Sequence, residues 1–376
     1  MNGNGLESNN DSNHPPAETA SHADSYFESY EDLHVHRLMI DDIPRTEAYR
    51  KAILSSNIFK DKVVMDVGAG TGILSLFCAE AGAKKVFAVE ASRMADVALA
   101  NSKENNFENI IEVIHKKVED LTEEIQVDII VSEWMGFYLL HESMIDSVFH
   151  ARDKHLKLGG KMFPEYATLS CALCSTPSLF RDWSNVFGHK MSAMRVFERQ
   201  TLLSKPQIEV LKDDDLLSVS RNILTLDMNS ATVEDVSVIR SKVFISTHKP
   251  GCYQGVVLWF DVTFPEPDED DDGACAEIVQ LDTSPYSEPT HWKQTIILWP
   301  EDREVEEGDI LGFELFLGRS SPVSRSYIMQ LTELDPATDE HPVPCECGSA
   351  KCDIVRAFLE QNEFADPDAE MPSERD

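Results

Sequence analysis

The strongest constraint on the fold is a regular alternation of short apolar runs and helical stretches between residues 62 and 161. Four apolar runs, VVMDV, KVFAVEA, IIEVIHKKV and VDIIVSE, are separated by segments of helical composition. Strands that are apolar on both faces are covered on both faces in a folded protein. The alternation therefore predicts a parallel sheet with helices packed on its two sides.

The pattern changes after Phe163-Pro164. Short runs rich in Thr, Val and Ile, such as VFISTH, GVVLWFDVTF and WKQTIILW, are separated there by Gly, Pro and Asp. This composition predicts a second, mostly antiparallel β domain. A helical stretch with aromatic residues, at about residues 175–205, interrupts the domain, and we expect it to form an arm that reaches outside.

The length of 376 residues exceeds that of one compact domain and predicts two. Residues 1–24 are polar with almost no apolar side chains, so we expect a disordered tail. N-terminal helices and the parallel-sheet domain are predicted at 25–164, the β domain at 165–340 and a C-terminal extension at 341–376. Within residues 25–164, Thr46–Leu54 is predicted to form an amphipathic helix whose N-terminus is capped by Thr46.

The charge balance bears on the partners of the chain. There are 33 Lys and Arg residues against 67 Asp and Glu, a formal net charge of −34, which argues against nucleic acid and favours a basic partner. The N-terminus lacks the layout of a signal peptide and no apolar run reaches membrane-spanning length, so we expect a soluble, intracellular protein. The eight cysteines are then expected to be thiols.

A glycine-rich turn follows the first predicted strand. Gly68, Gly70 and Gly72 place it at the start of a helix, where backbone N–H groups face a ligand. A dinucleotide fingerprint would have its third glycine at position 73, which is Ile73, so NAD is disfavoured. Glycines at alternate positions let the backbone approach a carboxylate and a ribose, which suits the amino-acid end of S-adenosylmethionine.

Acidic residues follow the next two predicted strands. Glu90 ends the second strand, where a carboxylate can accept hydrogen bonds from both ribose hydroxyls, and Val118 and Glu119 follow the third, where they can border adenine. The predicted cofactor-binding residues of this region are Asp66, Gly68, Gly70, Gly72, Glu90, Val118 and Glu119.

Two glutamates, Glu133 and Glu142, enclose an apolar segment after the fourth predicted strand, in the sequence SEWMGFYLLHESM. The apolar residues between them make a solvated surface loop a poor explanation. Two carboxylates can grip a planar guanidinium, draw its charge away from one nitrogen and aim that nitrogen at a methyl group. A guanidinium otherwise stays protonated and is a poor nucleophile.

The segment SEWMG followed by a second glutamate resembles the two-glutamate hairpin of the protein arginine N-methyltransferases, and the resemblance runs from about residue 26 to about residue 334. It implies an α/β fold, with a Rossmann-like S-adenosylmethionine-binding domain followed by an antiparallel β-barrel domain with a helical dimerisation arm. The segment YFESY at 26–30 is similar to a family helix that closes over the cofactor, and THW at 290–292 to a family loop.

The resemblance also assigns roles to single residues. It implies catalytic roles for Glu133, Glu142, His291 and Asp42, cofactor contacts from Tyr26, Phe27, Tyr30, His36, Met39 and Arg45, and substrate contacts from Tyr30, Met39 and Trp292. Arg45 is expected to bind the methionine carboxylate. His291, paired with Asp42, is expected to take up the released proton.

The motifs most resemble the type I class of the family, and within it subtype six, which modifies histone H3. The resemblance implies monomethyl and asymmetric dimethyl arginine as products, and histones and Arg/Gly-rich RNA-binding proteins as substrates. It also implies a homodimer in the nucleus, with the cytoplasm as a second location. Contact with nucleic acid or membrane is not expected.

The C-terminal extension contains Cys345, Cys347 and Cys352, whose spacing resembles the zinc-binding tail of SET-domain lysine methyltransferases. Three thiolates this close can share one tetrahedral zinc, with His341 or a distant cysteine as the fourth ligand. The alternative is three unpaired thiols in a loose tail. A second pair, CALC at 171–174, lies on a predicted strand and is expected to fill the core.

Two other functions remain open at this point. One is methyl transfer to a small molecule or a nucleic acid by the same fold, which would require a different apparatus in place of two glutamates. The other is a non-catalytic scaffold that binds Arg-rich partners. The intact glutamate pair and glycine turn disfavour the scaffold.

Overall fold

A computed structural model describes residues 33–55, 57–267, 277–321 and 324–363. Across these ranges no helix is both long and apolar enough to span a bilayer. The predicted N-terminal tail lies outside the described residues.

The first half of the chain forms a parallel sheet. Its strands are β1 (Val63–Val67), β2 (Lys85–Glu90), β3 (Ile111–His115), β4 (Val127–Val131) and β5 (Leu156–Phe163). They lie in the order β3-β2-β1-β4-β5 and every pairing is parallel, so the predicted sheet is confirmed. The order reverses between β1 and β4, and ligands of such sheets bind beyond the carboxyl ends of the strands at that point.

Helices precede the sheet and cover it. They are α1 (Leu33–Asp41), α2 (Ile43–Leu54), α3 (Ile73–Glu80), α4 (Met94–Glu104) and α5 (Ile145–His155). Because α3 begins one residue after the glycine turn, the amide groups of the turn and of the helix start point toward the same edge of the sheet.

The start of α2 differs from the prediction. The helix begins at Ile43, and the carboxylate of Asp42 caps it by accepting a hydrogen bond from the backbone N–H of Arg45 at 3.0 Å. Thr46, the predicted cap, lies inside the helix. An aspartate followed by a proline in the first turn is a common helix start, and here it outweighs the threonine.

The second half of the chain forms two antiparallel sheets. The larger contains, in order, β7 (Gln207–Glu209), β12 (Gln294–Val305), β10 (Gly251–Thr263), β6 (Tyr166–Cys174) and β8 (Arg221–Asp227), with β11 (Gln280–Asp282) beside β10. The smaller contains β14 (Tyr327–Leu334), β13 (Ile310–Arg319) and β9 (Val238–Ser246). All the pairings are antiparallel, which confirms the predicted domain.

Three further helices lie in the second half as the structure describes it. They are α6 (Ala193–Leu203), which lies in the predicted arm, α7 (Val233–Ser237), and α8 (Ala350–Glu363) in the C-terminal extension. Cys171 and Cys174 of β6 point to opposite faces, since they pack in two different hydrophobic clusters. Both are fully buried free thiols, as predicted.

Buried polar contacts join the two halves beside the carboxyl edge of the parallel sheet. The indole N–H of Trp292 donates to the carbonyl of Met135 at 2.9 Å. Both Nη atoms of Arg319 on β13 lie 2.6 Å from the carboxylate of Asp146 on α5. Arg152 of α5 donates to two carbonyl groups in the loop after β8. These contacts fix the β domain against the edge where a ligand would bind.

Candidate functional site

A cavity of about 370 Å³ opens at the carboxyl edge of the parallel sheet. Its wall includes Gly68 and Gly70 of the glycine turn, Glu90 at the end of β2, and both Glu133 and Glu142. The volume lies in the range of small-molecule sites. The structure therefore brings the two predicted glutamates and the predicted cofactor turn to one cavity.

The glycine turn needs backbone conformations that favour glycine. Gly68 has φ +75° and Gly70 has φ +53°. A Cβ atom at Gly68 would lie 2.2 Å from Cε of Met144, and one at Gly70 would lie 3.6 Å from the ring of His36. A side chain here would thus change the shape of the cavity wall.

Glu90 is held by backbone donors on both of its oxygens. Gly70 N–H donates to Oε2 at 2.8 Å, and Ser92 N–H donates to Oε1 at 2.7 Å. A carboxylate has about four acceptor positions, so both oxygens retain capacity for hydroxyl donors. The carboxylate is therefore placed before any ligand arrives.

Two predicted cofactor residues, Asp66 and Gly72, lie behind the cavity wall instead of on it. The Asp66 carboxylate is fully buried in β1 and accepts a hydrogen bond from Ser75 Oγ at 2.6 Å. Gly72 caps α3 with φ +82°, and a Cβ there would lie 3.2 Å from that of Ala98. Both residues support the turn, and neither is placed to contact a ligand.

Val118 and Glu119 line the cavity in a short 3₁₀ helix after β3. The Glu119 carboxylate accepts a hydrogen bond from Ser147 Oγ of α5 at 2.6 Å. His36 and Met39 of α1 also line the cavity, and His36 is buried. The predicted lid residues Tyr26, Phe27 and Tyr30 lie outside the described residues.

Glu133 forms a buried ion pair with Arg45 of α2. Nη2 and Nε of Arg45 lie 2.6 Å and 3.0 Å from Oε2 of Glu133, and Nη1 donates to the Met39 carbonyl at 3.1 Å. Burial alone would lower the pKa of Arg45, but the adjoining carboxylate raises it above its ordinary value. The family resemblance predicted that Arg45 binds the methionine carboxylate of the cofactor, and that contact stays a prediction. In the structure its guanidinium pairs with Glu133.

Glu142 lies in a strained hairpin. Its φ is +72°, and Tyr138, Leu139 and Ser143 nearby also have positive φ. Each residue other than glycine with a positive φ adds backbone strain on the order of 1 kcal/mol. Such residues persist where the surrounding contacts hold them. Arg325 holds the hairpin in place, since the Glu142 N–H donates to the Arg325 carbonyl and Arg325 Nη1 donates to the Glu142 carbonyl, both at 3.0 Å.

His291 and Asp42 form the predicted pair across the two halves of the chain. One carboxylate oxygen of Asp42 accepts from His291 Nδ1 at 2.6 Å and from its backbone N–H at 2.8 Å. Burial would raise the pKa of Asp42, but the donors from His291 and from Arg45 N–H lower it below its ordinary value. Asp42 is therefore ionised at neutral pH, and Nδ1 of His291 must be the donor.

Trp292 and Met144 complete this part of the wall. Trp292 is buried with its ring centroid 4.0 Å from that of His291. Sequence reasoning did not identify Met144 or Arg325 as site residues. Neither carries a local signal, because an arginine in a serine-rich loop and a methionine before a helix have many ordinary explanations.

The predicted metal residues come together away from this cavity. Cys345, Cys347 and Cys352 are buried, and His341 Nδ1 lies within 3.5 Å of all three sulfur atoms. The sequence left either His341 or a distant cysteine as the fourth ligand. The structure places His341 beside the thiols.

Comparison with known proteins gives matches along most of the chain. A family model described as the arginine methyltransferase oligomerization subdomain matches residues 165–332, and one described as ribosomal protein L11 methyltransferase matches residues 50–154. The chain is 39% identical over 337 residues to probable protein arginine N-methyltransferase 6.1 of Oryza sativa subsp. indica, covering 84% of this chain and 89% of the relative. It is 41% identical over 290 residues to protein arginine N-methyltransferase 6 of Xenopus tropicalis, covering 75% and 83%.

Solved structures with the same two-domain arrangement match as well. The crystal structure of PRMT6-SAH aligns with a TM-score of 0.69 and 30% identity over 81% of this chain and all of that chain. The Trypanosoma brucei PRMT1 enzyme-prozyme heterotetrameric complex with AdoHcy aligns with a TM-score of 0.69 and 32% identity over 82% of this chain and all of that chain.

Replacement of Gly68 by alanine tests the cofactor turn. Gly68→Ala forces Met144 to move within the cavity wall, whereas Gly308→Ala, at φ +90° with open space around it, carries only the backbone strain. We expect the affinity for S-adenosylhomocysteine, measured by calorimetry, to fall at least about tenfold in Gly68→Ala and to stay unchanged in Gly308→Ala. Equal affinities would contradict the assignment of this turn.

Replacement of Asp66 by asparagine tests the raised pKa of this buried carboxyl group. Burial, opposed by the Ser75 hydrogen bond, raises the pKa of Asp66 to about 7, so the folded protein retains a proton that the unfolded chain loses near pH 4. The contribution of this group to the free energy of unfolding should therefore fall as pH rises from about 4 to about 7, by at most about 4 kcal/mol.

The Asp66→Asn variant lacks this titratable group. We therefore expect its free energy of unfolding, measured in urea, to rise relative to that of the wild type between pH 4.5 and pH 7.5. Taking the difference between the two proteins cancels the titration of all other groups. A difference that does not change with pH would show that Asp66 is ionised in the folded protein.

Proposed function

The chain belongs to the protein arginine N-methyltransferases, as an S-adenosylmethionine-dependent enzyme of the type I class, and we propose that it forms monomethyl and asymmetric dimethyl arginine in histone H3. Arg/Gly-rich proteins are proposed as further substrates. The observation that carries the proposal is that Glu133 and Glu142 line one cavity with the glycine turn and Glu90.

The cavity suits S-adenosylmethionine. Gly68 and Gly70 line the cavity without side chains, and Glu90 retains acceptor capacity for ribose hydroxyls. S-adenosylmethionine supplies, when bound, a methyl group activated by its positively charged sulfur. Val118 and Glu119 would border the adenine, on the same side of the cavity as α5.

We propose that Glu133 and Glu142 clamp the substrate guanidinium from two sides. Both hydrogen bonds from the Arg45 side chain to Glu133 go to the same oxygen, Oε2. Among the described residues no donor bonds to Oε1, so we assign that oxygen to the substrate. Arg45 thus orients Glu133, while Arg325 fixes the backbone that carries Glu142.

The clamp lowers the barrier by placement and charge. Two carboxylates that hold the outer N–H groups fix the plane of the guanidinium and aim one nitrogen at the methyl group. Their negative charges stabilise positive charge on the remaining nitrogens, so the lone pair of the aimed nitrogen is less delocalised.

His291 is proposed to take up the proton released from the methylated guanidinium. When the ring is neutral, donation of Nδ1–H to ionised Asp42 leaves the lone pair on the other ring nitrogen, Nε2. His291 lines the cavity that contains the two glutamates. Asp42 would then orient the imidazole ring, and Nε2 of His291 would act as the general base, as in other carboxylate–histidine pairs.

The substrate proposal rests on charge. A net charge of −34 attracts basic, arginine-rich protein tails and repels nucleic acid. Histone tails belong to that class, and the nucleus is therefore the proposed location, with the cytoplasm as a second one. A tagged full-length chain in fractionated cells tests the location, and exclusion from nuclei would overturn it.

A homodimer is proposed through the arm. α6 is amphipathic, and in the arm Phe187 and Phe197 are 98% and 65% exposed. Arg199 ties the half-buried side of α6 to β12 through the carbonyls of Trp299 and Pro300. Exposed aromatic side chains on a firmly attached arm suit a contact with a second copy.

Replacement of the glutamates tests the clamp. In Glu142→Gln the ion pair of Arg45 and Glu133 stays intact, so we expect kcat on a histone H3 peptide to fall at least about a hundredfold with little change in stability. Glu133→Gln should lose as much activity and, since buried Arg45 loses its ionic partner, should also unfold at lower temperature. Labelled S-adenosylmethionine and thermal denaturation give the two readouts.

Glu47→Gln, on the exposed side of α2, is the matched control and should keep wild-type activity. Near-normal turnover by Glu142→Gln would refute the clamp. Mass spectrometry of the product tests the class, and symmetric dimethyl arginine would overturn type I. If an Arg/Gly-rich peptide is methylated and histone H3 is not, the clamp stands and the histone proposal fails.

Replacement of the arm aromatics tests the dimer. The double variant Phe187→Asp, Phe197→Asp should halve the mass measured by light scattering at micromolar concentration, because charge is placed in an apolar contact. Leu158→Asp, which changes an exposed apolar residue on β5, is the control and should leave the mass unchanged. A wild-type mass equal to that of one chain would rule out the proposed dimer.

A further inference from the structure

A cluster of three cysteines and one histidine lies in the C-terminal extension, beyond residue 332 where the family model ends. It consists of His341, Cys345, Cys347 and Cys352, and the four ligand atoms all lie within 4.8 Å of one another. All three cysteines are buried and none is in a disulfide. The methyl-transfer proposal makes no use of this cluster.

The distances from the histidine nitrogen to the three sulfur atoms match those of a tetrahedral metal site. The Nδ1 atom of His341 lies 3.5, 3.4 and 3.2 Å from the sulfur atoms of Cys345, Cys347 and Cys352. A tetrahedral zinc, with bonds of about 2.3 Å to sulfur and about 2.0 Å to nitrogen, places each sulfur about 3.5 Å from the nitrogen. A disulfide would instead join two sulfurs and leave the third unexplained.

The histidine is oriented as a metal ligand. Its Nε2 lies 3.0 Å from the Pro336 carbonyl, which can only accept a hydrogen bond, so Nε2 carries the proton. Nδ1 then has its lone pair toward the thiols, and the carbonyl acts as the outer partner usual for metal-bound imidazole. The ring also stacks on Phe244 of β9, with centroids 3.7 Å apart and planes 7° apart.

The surroundings form a closed site. Phe244, Ile310 and Leu334 of the smaller sheet pack against the thiols, so the cluster rests on all three of its strands. The Ser349 hydroxyl accepts a hydrogen bond from the backbone N–H of Cys352 and lies 3.3 Å from Cys347 Sγ. Four protein ligands in a buried tetrahedron leave no open position, which is typical of structural zinc.

We propose that His341, Cys345, Cys347 and Cys352 bind one structural zinc ion. Each thiol that binds releases its proton to solvent, and the neutral imidazole binds through Nδ1. Soft thiolate ligands in a tetrahedron select zinc over magnesium or calcium. The ion would tie α8, which carries Cys352, to the smaller sheet of the β domain.

Metal analysis of the full chain tests the proposal. We expect about one zinc ion per purified chain by mass spectrometry, and zinc affinity reduced at least about tenfold in Cys347→Ser and in His341→Ala. Cys252→Ser changes a thiol on β10 outside the cluster and should keep full zinc content. Cobalt substitution should give the intense visible absorption of a tetrahedral thiolate site in the wild type.

The wild-type protein supplies a second test that does not depend on the folding of variants. A zinc chelator should release the metal and increase tryptic cleavage at Lys351 and Arg356 of α8 at least severalfold, since the helix loses its attachment. The proposal is overturned if the wild type holds no more zinc than Cys347→Ser, even after incubation with zinc. Unchanged affinity and cobalt spectrum in His341→Ala would overturn the assigned ligand set.

Discussion

The carboxylate of Asp42 holds the candidate active site together. One of its oxygens caps α2 through the Arg45 N–H, and the other accepts two hydrogen bonds from His291 of the β domain. The cap fixes the first turn of α2, from which Arg45 reaches Glu133. Burial of this charge is offset by its donors, which together keep its pKa low. One ionised group therefore sets the positions of an arginine, a histidine and, indirectly, a glutamate.

The sequence predicted the parts of the fold that depend on local pattern. The strands β1, β2 and β4 were recognisable because both of their faces are largely buried, although β3 at the edge of the sheet is only partly buried. The antiparallel domain was recognisable because its short β-branched runs are separated by turn residues. The start of α2 was predicted wrongly, since a cap is selected among several candidates by the tertiary partners of its carboxylate. Asp42 had such a partner in His291, and Thr46 had none of comparable strength.

Within the site, residue types were predictable and side-chain directions were not. A motif identifies Asp66 and Gly72, but only the packing of β1 against α3 and α4 shows that they face away from the cavity. The motif likewise gave Arg45 without its partner Glu133, 88 positions away in the chain. Arg325 had no motif at all, because its carbonyl and its guanidinium bond to the backbone of a hairpin that only the folded chain brings near.

The contacts of Arg325 and His291 also limit how the two halves can be separated. The Rossmann-like half supplies the hairpin and the helix cap, yet the conformation of Glu142 and the imidazole beside Asp42 come from the other half. A cofactor-binding module excised at Phe163 would keep its glycine turn and lose the reactive geometry. Recombination between family members at that boundary would succeed only where the exchanged halves carry this matching pair of contacts.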